Sequence, residues 1–463
     1  MWGNSFHTFG SKPTIPVSPA KYERSDLMKN RAEIDPQYFE KLSPPETTPA
    51  LPPWFALVDM NSYFAVLEQQ ANPHLRGKPI GIVKERGRSC IIAASPEAKK
   101  LGVHTGERLY DARQKAPNII TIPADFDKYF YNTKKLIDIF KALSPDVELF
   151  SLDEAFIDLS SCRALYPTPE SFFQAVRKAV KAQLGSWVIF SLGLGANRLQ
   201  AKLASEFAGK DNYFEITKEN LAGCLMDAKV EEICGIGYRL TAKLHALQIT
   251  HPYQLNFYDD AFLLDHFGIF WGPELRRIGR GEDSHLLTLI DKPPKHMKSV
   301  GRSKTLFIAN GDRAYLRQLI TNLAEDACFK ARRMKLGGHT VSLYLNDVDG
   351  RSWGGHRKLK GVVCHTNEMC DILDGILDEL GELPAAIIKA GVQLGELQPL
   401  EDLTICWLPE WNRQQKVYEA LDKVNEKYGL YTLKSGRLMD FKIMYPEVTG
   451  FLGDKQYQMQ FAN

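Results

Sequence analysis

The hydrophobic pattern divides the chain from residue 54 onward into short buried strands and amphipathic helices. FALVDM (55–60) is an apolar run of strand length that ends near an aspartate, and NSYFAVLEQQ after it places Phe64, Val66 and Leu67 at a helix opening. PIGIV (79–83) and SCIIAAS (89–95) predict a hairpin around the charged KERGR, with helix-like PEAKKLG following. DKYFYNTKKLIDIFKALS (127–144) has helical periodicity and leads into DVELFSLDEAFIDLS, a predicted hairpin. PESFFQAVRKAVKAQLG (169–185) predicts a helix, WVIFSLGLG a strand, and the stretch from Asn197 to Phe207 another helix.

Beyond Leu221 the texture changes to short helices and glycine turns. VEEICGIGYRLTAKLHALQI (230–249) sets a Gly235-Ile236-Gly237 turn between two apolar helical segments. That pattern suits a helix-hairpin-helix whose turn amides face a DNA phosphate, and equally a plain helical turn. DKPPKHMKSVG (291–301) reads as a linker. After it, helix-like RAYLRQLITNLAEDACFKARRMK, strand-like TVSLYLNDV, helix-like NEMCDILDGILDEL and strand-like AIIKAGVQLGEL make an α/β module of its own. Residues 1–53 are polar and end in the Pro-rich KLSPPETTPALPP, an extended surface arm.

Composition narrows the class. The 463 residues exceed one ordinary core and imply roughly three or four domains. Nothing in the sequence reaches the ~18 apolar residues of a membrane span, and the start MWGNSFHTFGSKP does not read as a secretory signal, so a cytoplasmic protein is expected. Eight cysteines without a CxxC pair indicate neither a zinc ribbon nor a disulfide scaffold, and read as small core residues. Net charge is only +2, yet residues 291–360 hold fifteen Lys and Arg against six Asp and Glu. Such a window is either a solvated basic face or a surface for phosphates.

Two adjacent acids in SLDEAFIDLS (151–160) are the chief candidate chemistry. Regular strand alternation would put Leu152, Glu154, Phe156 and Asp158 on one face and Asp153, Ala155 and Ile157 on the other, so Asp153 and Glu154 would not both point to solvent. Burying an unpartnered carboxylate costs several kcal/mol, which calls for a cation or a hydrogen-bond network. Mg²⁺, a hard ion that takes carboxylate and phosphate oxygens, is the economical partner. Asp59, near the end of another apolar run, is available as a third ligand; a turn cap is the simpler role for any one such acid.

Around those acids the sequence resembles the Y-family, translesion DNA polymerases. The resemblance is carried by VDMNSYFAVLEQQ (58–70), LRGKPIGIV (75–83), SPEAKKLGV (95–103), SLDEAFIDLS, GLGANRLQAKLAS (193–205) and KSVGRSKTL (298–306), in the family's order. It is nearest the bacterial polymerase IV and polymerase V group, DMNSYF with Asn61 leaning to the second.

The resemblance implies an α+β, multidomain right hand: palm at 54–70 and 125–225, fingers at 71–124, helical thumb at 226–290, linker at 291–297, α/β little finger at 298–405, and a C-terminal extension at 406–463. It implies that Asp59, Asp153 and Glu154, with the Met60 carbonyl, hold two Mg²⁺ ions, Mn²⁺ serving in their place, and that Phe64 is a steric gate against the sugar's 2′-hydroxyl. Tyr63, Phe64, Lys99 and Arg198 would meet the incoming dNTP; Pro96 stands where the family has a tyrosine, and cannot donate its hydrogen bond. Cys90 and Ile92 would cover the nascent base pair. Gly235, Gly237, Lys298, Arg302, Lys304, Arg332 and Arg333 would grip primer-template DNA with little sequence preference. Gln456, Met459 and Phe461 match a bacterial sliding-clamp peptide, as against a tail that packs on its own domain. The function implied is that of a monomeric template-directed polymerase acting at damaged DNA. The competing classes are a non-catalytic DNA-binding accessory of the same fold and, remotely, a palm-fold nucleotide cyclase.

Overall fold

The computed structural model describes residues 54–84, 89–284, 287, 297–402, 409–429, 431–439 and 441. The N-terminal arm, most of the expected linker and the clamp-peptide residues Gln456, Met459 and Phe461 lie outside them.

The first sheet has the order β5-β6-β1-β7-β8, built from β1 (Phe55–Met60), β5 (Asp146–Leu149), β6 (Glu154–Asp158), β7 (Phe190–Gly195) and β8 (Asn212–Glu215). β1 is central and antiparallel to both neighbours, which is why FALVDM is apolar on both faces. Ala56 and Val58 face α4 (Phe126–Lys141) and α5 (Pro169–Leu184), joining Tyr129, Ile139, Phe140, Phe172 and Val176 in one core. Leu57 and Phe156 face the other way, onto α6 (Arg198–Ala208) and the helical region beyond it. α6 can lie close because β7 carries glycines: a Cβ on Gly193 would sit 2.0 Å from the Ala201 carbonyl oxygen, and one on Gly195 2.5 Å from Gln200 Cβ. This approach brings Lys202 and Glu206 of α6 to the end of β1.

Between β1 and α4 the chain forms α1 (Tyr63–Ala71) and a small sheet, β3-β2-β4, from β2 (Ile80–Val83), β3 (Ile91–Ala94) and β4 (Ile120–Pro123). Its separate core includes Ile91, Ala98, Val103 and Leu109, with α2 (Pro96–Lys100) and α3 (Leu109–Lys115) on it. The expected β2–β3 hairpin is present.

α7 (Leu221–Asp227), α8 (Tyr238–Ala246) and α9 (Asp260–Arg280) form the helical region, α9 being broken at Gly268, φ 80°. The segment before Gly235 is a single 3₁₀ turn, Val230–Glu232, and not the helix expected. Only two residues, Ile233 and Cys234, separate it from the φ 94° glycine, too few for a helix to close.

The C-terminal unit is an antiparallel sheet, β11-β10-β12-β9, of β9 (Ser299–Thr305), β10 (Leu336–Asp347), β11 (Ser352–Val363) and β12 (Ile387–Pro399). α10 (Arg313–Arg333) and α11 (Thr366–Glu379) pack on one face over a core that includes Leu319, Leu323, Val341 and Val392. α12 (Pro409–Tyr428) then folds back on α10, where Arg332 holds Asp422 by two 2.7 Å hydrogen bonds and lies over the Tyr418 ring.

Candidate active site

Register sets the site. Asp59 on β1 is directly opposite Glu154 on β6, and the Met60 N–H donates to the Asp153 carbonyl at 2.9 Å. β6 begins only at Glu154, so Asp153 belongs to the preceding turn and the alternation expected through Leu152 does not hold. The turn frees Asp153 to share the end of the sheet with the other two acids. Their charges act on one another: burial first, then Glu154 and Asp153, push the Asp59 carboxyl up to about 8. Asp153 is also raised, by burial above all, against the pull of its Ser151 hydrogen bond.

Two of the acids have local partners. Glu154 accepts from Lys202 Nζ at 2.8 Å and Asp153 from the Ser151 hydroxyl. Among the described residues no three His, Cys, Asp or Glu side chains are already drawn into a metal cage. The donor set nevertheless fits a hard divalent cation: carboxylate oxygens crowded enough to repel one another lose that cost when a cation lies among them.

A linkage follows for stability. A carboxyl raised from 3.8 to about 8 stabilises the fold fully below its unfolded value, and that contribution is lost as pH rises through about 8. Metal-free protein is therefore expected to lose several degrees of Tm between about pH 6 and about pH 9 through this group, at ~2–4 °C per kcal/mol, with Mg²⁺ restoring most of it at the higher pH. Asp59→Asn should abolish both effects. Thermal melts with chelator and with Mg²⁺ measure this, and an unchanged pH response in the variant would refute it.

The β1–α1 turn is the second part of the site. Ser62 adopts the left-handed conformation, φ 52°, and its buried hydroxyl has no hydrogen-bond partner among the described residues. α1 starts immediately after it, without a side-chain cap. A backbone conformation that costs of order 1 kcal/mol, a bare hydroxyl and helix-start amides together make a receptive place for an anion. Tyr63 buries its ring in the core with its hydroxyl 3.4 Å from Thr133, so its side chain does not reach a ligand here and only its backbone N–H can contribute. Phe64 is partly exposed, stacked on Tyr129 at 4.3 Å and edge-on to Phe126.

Sequence reasoning missed the line of charges on α6. Lys202 serves Glu154, Glu206 adds to the negative field at Asp59, and Lys210 follows just beyond the helix. Spacing of four residues was the available signal. Asn61 supports this end: its amide donates to Ser191 Oγ at 2.8 Å, Ser191 donates to the Gly209 carbonyl, and the Asp211 N–H donates to Asn61 at 3.4 Å. Lys99 on α2 is within electrostatic reach of Lys210; desolvation first, then Lys210, hold its ammonium below the usual lysine range. Arg198, expected beside them, is at the opposite end of α6 and pairs with Glu148 at 2.8 Å. Cys90 and Ile92 lie on the outer side of the small sheet, with Ile91 between them buried.

Several expected DNA contacts are corrected by the C-terminal unit. Arg302 is paired with Asp326 at 2.8 Å and points with Val300 to the helix side of the sheet, as does buried Lys304. Arg332 is buried beneath α12. Lys298 and Arg333 remain exposed. The face that no described residue covers carries Ser303, Thr305, Gln393, Ser342, Tyr344, His356, Lys358 and Lys360, a polar surface with few apolar groups. Gly235 and Gly237 form the open turn before α8, with no atom of the described residues within 4 Å of where a Cβ on Gly237 would sit.

A sheet with three acids at the end of its central strands, next to a helical unit and a basic α/β unit, defines an α+β multidomain polymerase. The sequence matches the model of the impB/mucB/samB family over residues 58–206 and that of the family's C-terminal domain over residues 297–404. It is similar to DNA polymerase IV of Moorella thermoacetica, 30% identical over 388 residues that cover 81% of this chain and 93% of that protein. DNA polymerase IV of Gluconobacter oxydans is 30% identical over 298 residues, 64% of this chain and 81% of the relative. Among solved structures, a chimeric Y-family DNA polymerase matches with a TM-score of 0.62 at 21% identity, over 75% of this chain and 99% of the chimera. The chain belongs to the Y family of DNA polymerases. Members of the family use divalent metal ions, and among the described residues no helix is long and apolar enough to cross a membrane.

Proposed function

We propose that this chain extends a primer on damaged template DNA by metal-dependent nucleotidyl transfer. The pairing of Asp59 with Glu154, and the tie between Met60 and Asp153, carry this reading. The non-catalytic accessory is not favoured, because all three acids are present and share one sheet end. Asp59, Asp153, Glu154 and the Met60 carbonyl would hold two Mg²⁺ ions. When bound, such ions supply charge stabilisation at the attacking and leaving oxygens of an in-line displacement.

The protein's share is placement and charge. Ser62 and the first amides of α1 receive the triphosphate, with Lys99 and Lys210 opposing its negative charge. Phe64 lines the sugar. Cys90 and Ile92 cover the base pair, residues 71–124 acting as fingers, 226–290 as thumb and 298–405 as little finger. Residues 54–70 and 125–225 form the palm. Duplex phosphates are gripped at the Gly235–Gly237 turn, by Lys298 and Arg333, and by the uncovered sheet face with Lys358 and Lys360. The enzyme works as a cytoplasmic monomer, its C-terminal Gln456, Met459 and Phe461 docking on a sliding clamp.

Primer extension with purified protein, Mg²⁺ and all four dNTPs tests the reading; no extension on any primer-template would sink it. Lys99→Ala and Lys210→Ala are each expected to raise the KM for dNTP about tenfold, equivalent to ~1.4 kcal/mol, with duplex affinity changed by less than about twofold. Equal losses in duplex binding would show instead that these lysines belong to the DNA grip.

A further inference from the structure

Arg198 opens α6, and the three polar side chains around that opening all reach other parts of the chain. The Arg198 fork donates through Nε and Nη2 to Glu148 Oε2 on β5, at 3.2 and 2.8 Å, and Nη1 is 3.9 Å from Asp283. Its guanidinium also lies 5.3 Å from the centre of the Phe55 ring. Asn197 and Gln200 each donate a side-chain N–H to the Gly281 carbonyl, both at 2.9 Å. Gly281 is the left-handed residue that ends α9, and Asp283 is two residues further on. Arg198 and Glu148 are both largely buried, with side-chain exposures of 15% and 18%.

The same residues are remote from the phosphate-facing cations. Lys202 already lies at Glu154, and Arg198 is one turn, ~6 Å, further back along the helix, on the side away from Lys210. A phosphate held by Lys99 and Lys210 is beyond a side chain committed to Glu148.

We infer that Asn197, Arg198 and Gln200 form a latch joining the five-stranded sheet to the end of the helical region, and that Arg198 is a positioning residue for DNA, not a triphosphate contact. The inference rests on the polymerase reading for its consequence and on the contacts alone for the latch. The latch fixes the end of α9, and with it the angle at which the Gly235–Gly237 turn meets the duplex relative to Asp59. Two amides on one carbonyl and a guanidinium shared between two acids resist rotation about this joint in a way a single contact does not.

Hydrogen–deuterium exchange on the full protein without DNA tests the latch. Arg198→Ala should speed exchange across residues 270–284 several-fold, and Arg198→Lys should do nearly the same, because a point charge cannot replace the fork. The double variant Arg198→Met with Glu148→Gln guards against misfolding, since it leaves no buried charge on either partner. With primer-template, all three should dissociate from the duplex about five to ten times faster while the KM for dNTP stays within about twofold. A rise of about tenfold in the KM for dNTP, with exchange and duplex dissociation unchanged, would make Arg198 a triphosphate contact and overturn the latch. Should the wild type lack polymerase activity, the exchange measurement still decides the latch, so the two readings fail separately.

Discussion

Asp153→Asn with Glu154→Gln is expected to reduce primer extension by about a thousandfold or more while duplex binding stays within about threefold. The size follows from the role proposed for the acids: they are negative charges of the sheet end, and in that reading they hold the cations that stabilise the reacting phosphate. The isosteric pair is the informative change. Glu154 accepts from Lys202, and truncation to alanine would leave a buried ammonium without its carboxylate, a loss of ~3–5 kcal/mol that would confuse activity with folding. A glutamine keeps an oxygen for Lys202, and an asparagine keeps one for Ser151. A variant that extends primers at more than about a tenth of the wild-type rate would show that the reaction is placed elsewhere.

The sheet that bears these acids was legible because its central strands are buried on both faces and so read as apolar runs. The exact face of each acid was not: alternation through Leu152–Asp153–Glu154 assumed a strand where the chain still turns. The cations were harder. Arg198, Lys202, Glu206 and Lys210 recur at one spacing, and nothing in that spacing says which end of the stripe meets Asp59. The direction of β7 decides it: Gly195 is opposite Phe55, so α6 starts there and runs back over Gly193 toward Asp59. In the C-terminal unit the missed signal was local. Val300, Arg302, Lys304 and Leu306 alternate together, which places both basic residues with the apolar ones. β11 lacks apolar alternation because it is an edge strand with one side open, so SWGGHRKLKGVV does not announce a strand. Asp326 and Asp422, the acids that neutralise Arg302 and Arg332, are 24 and 90 residues away in sequence, beyond what local charge counting can pair.

Phe64→Ala is expected to erase most discrimination against ribonucleotides, raising the kcat/KM for rNTP relative to dNTP by about a hundredfold, which corresponds to ~3 kcal/mol of steric cost. A ring excludes a hydroxyl only if it cannot step aside, and the surroundings of Phe64 prevent that. It lies flat on Tyr129, the planes within 8°, and edge-on to Phe126. Tyr129 is itself fixed by a 2.7 Å hydrogen bond to Glu68, and Glu68 by Lys128 at 2.6 Å. The support is therefore a chain of packed groups, and weakening it one step away should act in the same direction: Tyr129→Ala should cost discrimination about tenfold with Phe64 in place. Phe64→Tyr keeps the plane and should keep the selectivity. Competing single-nucleotide insertion with rATP and dATP separates these cases, because dNTP insertion should fall by less than about tenfold in each variant. If Phe64→Ala left the ratio unchanged, the sugar would not lie against α1, and the placement of the triphosphate at Ser62 would fall with it.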